Sequence, residues 1–138
     1  MSLEITTPVY TLLTADDQAE MRESLGLGPV VATKITDANY TVGTTDPNEL
    51  NGGVIYVTGP ATITLPPVEA GANFSIITIG AVSVSVDPDA ADLIYLDGIP
   101  LDIGDKITNL SVPGDIAVFT YYDATGWVAL TNGWTDGN

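Results

Sequence analysis

Three carboxylates fall within six positions at Asp87-Pro88-Asp89-Ala90-Ala91-Asp92, and Asp102-Ile103-Gly104-Asp105 forms a second, looser pair. A hard cation such as Ca²⁺ takes several oxygen ligands, so Asp87, Asp89 and Asp92 are the candidate metal ligands. Neither cluster has the glycine and terminal glutamate offsets of an EF-hand loop. The alternative is structural: Asp is common in turns because its carboxylate accepts from nearby backbone N–H groups. Other chemistry is thinner. The chain has no Cys and no His, which removes thiolate nucleophiles, thiolate metal sites and any Ser-His-Asp triad. Two carboxylates facing each other across a cleft can cleave a glycosidic bond. With 18 acids, however, some pair falls near any chosen separation, and Trp127 and Trp134 are the only tryptophans available for stacking. Gly26-Leu27-Gly28 and Gly52-Gly53 lack the Lys and the strand-to-helix setting of a phosphate loop. The expectation is a protein that is not an enzyme.

Charge narrows the partners. Three basic residues face 18 acidic ones, for a net charge of −15 over 138 residues. Phosphate binding needs clustered Lys and Arg, so nucleic acid and anionic membrane surfaces are not expected partners. No apolar run approaches the length of a membrane span, and Met1-Ser2-Leu3-Glu4 lacks the basic and apolar regions of a secretory signal. The hydrophobic fraction of 45% is enough for a packed core.

The elements that must position these residues change character near residue 30. Residues 1–29 read as an extended arm and one short helix. Thr14 is the N-cap of a capping-box-like start, Asp16, Asp17 and Glu20 favour the first turns, and Gly26 or Gly28 with Pro29 ends the helix. Such a helix is too short to stand alone in water. Residues 30–138 read as β. Short apolar runs end at Gly59-Pro60, Pro66-Pro67, Gly80, Asp87-Pro88 and Pro113-Gly114. Asp97-Gly98 is the strongest hairpin signal, and Asp123 to Gly126 reads as a four-residue hairpin loop. Thr131 to Asn138 reads as a polar tail. No internal repeat of fixed period is visible. The expected fold is therefore mainly β, an antiparallel β-sandwich or barrel-like domain of about eight strands with a short N-terminal α-helix and an extended N-terminal arm.

Two runs bear on assembly. Val82, Val84 and Val86 alternate with Ser83 and Ser85, which suits a sheet with one wet face. Phe74 to Ile79 and Ile116 to Tyr122 are instead apolar on both faces. One face of such a strand is expected to be covered by the second sheet and the other by a neighbouring subunit; the alternative is that these are the central strands of a sandwich with the helix on the outside. Ile77, Ile79, Phe119, Tyr121 and Trp127 are the interface candidates. Residues 37–138 hold 13 carboxylates against a single cation, Lys106. Self-repulsion opposes the association of so acidic a chain unless its acids point outward or bind cations, and the acidic turns are expected on the solvent side.

The segment Thr11 to Gly28 resembles a motif of tailed-bacteriophage virion proteins, read as L-L-T-A-x-D-x-A-x-x-R-x-x-L-G-L-G. Leu12, Leu13, Thr14, Ala15, Asp17, Ala19, Arg22, Leu25, Gly26, Leu27 and Gly28 carry the match. Downstream pieces are similar to small phage β-modules: Ile63 to Pro66, Val84 to Pro88, Asp92 to Gly98, Gly114-Asp115-Ile116 and Gly126-Trp127-Val128. The resemblance implies a homotrimeric virion component on the outer surface of a capsid or tail. The small size favours a capsid decoration or cement protein over a tail fibre. It implies an N-terminal arm (Leu12, Leu13, Thr14, Asp17, Ala19, Arg22, Leu25, Gly26, Leu27, Gly28) that anchors the protein to the major capsid protein or other virion proteins. The alternative is a fibre or appendage module that binds a host-surface glycan or protein, with Ca²⁺ as a possible cofactor. It would use an exposed aromatic beside an acidic loop, with Trp134, Tyr121 and Tyr122 as candidates.

Overall fold

The structure, a computed structural model, describes residues 31–138. The expected arm and helix lie outside the described residues. The strands are β1 (Thr33–Thr36), β2 (Tyr40–Thr41), β3 (Asn51–Val57), β4 (Ala61–Thr64), β5 (Asn73–Thr78), β6 (Val84–Asp87), β7 (Leu93–Leu96), β8 (Ile99–Pro100), β9 (Ile107–Asn109), β10 (Ile116–Asp123), β11 (Gly126–Asn132) and β12 (Trp134–Asp136). One turn of 3-10 helix, Pro47–Leu50, precedes β3. A seven-stranded sheet runs β1-β3-β5-β10-β11-β7-β8, and a five-stranded sheet runs β12-β9-β6-β4-β2. The mainly β sandwich expected from the strand pattern is what the chain forms.

The pairing differs from an all-antiparallel sandwich. β1 with β3, β3 with β5, β2 with β4, β4 with β6, and β11 with β7 are parallel. From β1 to β6 the chain alternates between the two sheets, so each strand re-enters its sheet in the direction of the previous one. In the large sheet Ile35 pairs with Tyr56 and Tyr56 with Ile77, a step of 21 residues. In the small sheet Tyr40 pairs with Ile63 and Ile63 with Val86, a step of 23. A coil of 21 to 23 residues therefore repeats without an obvious sequence repeat. Gly59-Pro60 and Pro66-Pro67, which read as turns between neighbours, are crossings between sheets. The antiparallel pairs come mainly from the second half, where β10 lies between β5 and β11.

Alternation along each strand places the core between the sheets. Ile55, Val57, Phe74, Ile76, Ala117, Phe119, Trp127, Ala129 and Ile94 of the large sheet meet Ile63, Val84, Val86, Ile107 and Trp134 of the small one. Phe74 stacks on Phe119 with ring centres 5.2 Å apart and meets Trp127 edge-on at 5.5 Å. Asp97-Gly98 forms the expected tight hairpin turn, with φ of 50° and 89° at its two central residues. Two sequence expectations are corrected. Thr131 to Asn138 is not a tail: β11 runs through Asn132, and β12 pairs with β9 and buries Trp134. The β10–β11 loop is shorter than four residues, because Asp123 pairs with Gly126 after a bulge. Gly126 also lets β7 approach β11 closely, since a Cβ there would collide with the Leu93 carbonyl oxygen.

Asp123 closes that turn by accepting from Thr125 Oγ1 at 2.6 Å and Thr125 N at 2.9 Å. The Thr125 hydroxyl first, and its amide second, hold the Asp123 carboxyl below the usual carboxylate range. A depressed folded pKa makes the turn's contribution present above the unfolded pKa, and it is lost as pH falls through the folded one. Thr125→Val removes the leading hydrogen bond, so the Asp123 titration followed by carboxyl NMR is expected to move up. An unmoved titration would show that the hydroxyl does not hold the carboxylate.

Candidate functional site

The acidic cluster does not assemble. Asp87 closes β6 and alternates away from the core residues Val84 and Val86. Asp89 accepts from the Ala91 amide at 3.2 Å, an ordinary turn contact. Asp92 is buried and accepts from the Val68 amide at 2.8 Å. Among the described residues no group of three or more carboxylates could hold a metal ion, which corrects the assignment of Asp87, Asp89 and Asp92 as ligands. The physical reason is that the three point to different places: Asp87 away from the core at the end of β6, Asp89 into its own turn, and Asp92 inward onto the Val68 amide. Nor do all the acids face solvent. Glu49, Asp92 and Asp115 are buried.

The buried carboxylates are structural ties. Glu49 accepts from Tyr40 Oη at 2.6 and 2.8 Å and from the Gly43 amide at 2.7 Å, locking the 3-10 turn onto the end of β2. Lys34 Nζ lies 4.7 Å from the centre of the Tyr40 ring, a cation–π contact on the same group. Asp115 accepts from the Val112 amide at 2.9 Å and from Asn109 Nδ2 at 3.2 Å. Asn109 in turn accepts from the Val84 amide and donates to the Val82 carbonyl. Each of these carboxylates is buried and is met by donors of its own chain. A shallow depression lined by Pro47, Leu50, Asn51, Glu69 and Gly71 offers Glu69 as its one carboxylate.

The unusual surface is the outer face of the large sheet. Residues alternating with the core positions project there in register. One row crosses β1, β3, β5 and β10 as Ile35, Tyr56, Ile77 and Ile116. The next reads Thr33, Val54, Ser75, Val118 and Leu130, and a third reads Asn73, Thr120, Val128 and Tyr95. Tyr122 meets Tyr95 edge-on at 4.8 Å. Ile35 is 67% exposed, Leu130 59%, Tyr122 57% and Ile79 50%. No charged side chain stands in these rows. The outer face of the small sheet is its opposite, with Thr62, Ser85, Thr108 and Thr135 in one row and Thr41, Thr64 and Asp87 in the other.

The sequence-predicted interface residues divide accordingly. Ile77 and Ile79 lie on the outer face. Phe119 and Trp127 are fully buried between the sheets, so they are core and not contact residues. Tyr121 pairs with Trp127, is half-buried, and gives its amide to the Ala72 carbonyl. Trp134 is likewise buried and cannot serve as an exposed binding aromatic. Leu12, Leu13, Thr14, Asp17, Ala19, Arg22, Leu25, Gly26, Leu27 and Gly28 lie outside the described residues. Val54, Val118, Val128 and Leu130 were missed. Their signal was present, because β3, β10 and β11 are apolar at successive positions, but it shows which side is outward only once the core side is known. Among the described residues no helix is long and apolar enough to cross a membrane. No protein-family model, curated protein or solved structure matches the chain.

Proposed function

We propose that this chain is a non-enzymatic structural component of a tailed-bacteriophage virion, a homotrimeric capsid decoration protein anchored to the major capsid protein through residues 1–29. The contrast between the two outer faces carries the assembly half of this reading. A broad apolar sheet face is costly in water, whereas the Thr- and Ser-rich face of the small sheet suits it. The virion half rests on the resemblance of residues 11–28 to the phage motif. A second reading, a host-surface glycan-binding appendage, is favoured by one observation: the exposed Tyr122 stands beside Tyr95 and next to Asp123.

Light scattering on the purified chain is expected to give three times the single-chain mass of 14.4 kDa, unchanged by EDTA. Removing residues 1–29 is expected to abolish co-sedimentation with the phage particle while leaving a folded β domain. A truncated protein that still binds the particle would overturn the anchoring role. Retained binding to a host-surface glycan after the same truncation would favour the appendage reading.

A further inference from the structure

We infer that the outer face of the seven-stranded sheet is where copies of this chain pack on one another, through the row Ile35, Tyr56, Ile77 and Ile116 and the flanking Val118 and Leu130. The inference rests on the assembly reading above, to which it adds the surface and the occupant. Six strands at about 4.8 Å spacing, each showing some 17 Å of length, present a face of about 500 Å². Side-chain relief adds to that flat projection and brings it to the order of the ~800 Å² that each partner gives to a stable interface.

Charge selects the occupant. The chain carries −15, and a second copy carries the same. Two such chains meet at least cost where neither presents a carboxylate, and the rows named here present none. The aspartates of the nearby turns are engaged at home: Asp97 accepts from Thr131 N at 2.7 Å and Oγ1 at 2.9 Å, and Asp123 is held by Thr125. A partner of opposite charge would find nothing on this face to pair with. The polar face of the small sheet then stays in water, as its Thr and Ser side chains require.

The full-length chain provides the test. Ile77→Glu places a carboxylate in the middle of the face, and Thr62→Glu places one on the polar face of the other sheet. Light scattering is expected to show the first variant reduced to the 14.4 kDa single chain and the second retaining the oligomer. A folded Ile77→Glu variant that keeps its oligomeric mass would overturn the inference while leaving assembly through another surface standing. A wild-type chain that is monomeric at every concentration would overturn both. Should the Glu variant fail to fold, thiol labelling decides, because the chain has no Cys of its own. Leu130→Cys is expected to react about tenfold more slowly than Thr135→Cys in the oligomer, since access controls thiol reactivity, and equally fast once diluted to single chains. Equal rates in the oligomer would overturn the inference. Protection that persists in a monomer and disappears when residues 1–30 are removed would also overturn it, by making the chain's own N-terminal segment the cover.

Discussion

Trp127→Ala is expected to lower the free energy of unfolding by about 4 kcal/mol, the upper part of the range for large-to-small core substitutions. Trp127 is fully buried and packs edge-on against Phe74, which stacks on Phe119. Truncation therefore removes the largest fully buried side chain and leaves a cavity that the rigid sheet on either side cannot close. A domain of this size is stable by only about 5–15 kcal/mol, so much of its margin would go. The indole also carries a cost. Its Nε1 is buried and finds no acceptor among the described residues. Trp127→Phe deletes that N–H while keeping most of the aromatic contact, and is expected to cost only about 1 kcal/mol, because the lost volume is offset by relief of an unpaired donor. Urea unfolding of both variants measures the difference. Equal losses would show that the N–H is in fact satisfied and that aromatic volume is not the main term.

Glu49→Ala is expected to cost about 3 kcal/mol, since breaking a buried charge-assisted contact strands its donors. Glu49 is 2% exposed and satisfies both Tyr40 Oη and the Gly43 amide. Its loss leaves a phenol and an amide without their acceptor in a half-buried site and frees the 3-10 turn that leads into β3. Crowding amplifies the effect. Gly53 fits so closely that a Cβ there would lie 2.6 Å from the Glu49 Cα, so the turn has little room to resettle. Glu49→Gln keeps one acceptor and is expected to fall between wild type and Ala. Tyr40→Phe removes the same contact from the other side, so the double variant should cost clearly less than the two singles together. Strict additivity in denaturant unfolding would refute a direct Glu49–Tyr40 coupling.

Several elements were legible because their physics is local. Alternation at Val84 to Val86 defined both a strand and its buried side, and Asp97-Gly98 announced a turn with positive φ at both positions. Phe74 to Ile79 and Ile116 to Tyr122, apolar at successive positions, marked strands, and β5 and β10 lie side by side near the middle of the large sheet. Strand direction was not legible. A Gly-Pro break looks the same whether the chain folds back beside itself or crosses to the opposite sheet, and only long-range pairing distinguishes them. The coil step of 21 to 23 residues was hidden for the same reason, since its positions share burial more than residue identity.

A β domain, the Asp97-Gly98 turn, and the absence of the side chains that thiol and imidazole chemistry needs could be read from the residues alone. Those follow from composition, alternation and short-range turn preferences. Tertiary structure alone decided which of two apolar faces became core. It turned Phe119 and Trp127 inward and Ile77 outward, and it drew Trp134 out of an apparent tail to close the small sheet. It also gave the carboxylates of Glu49, Asp92 and Asp115 to backbone amides and neighbouring side chains, since a buried carboxylate is tolerated only where donors from distant parts of the chain converge on it.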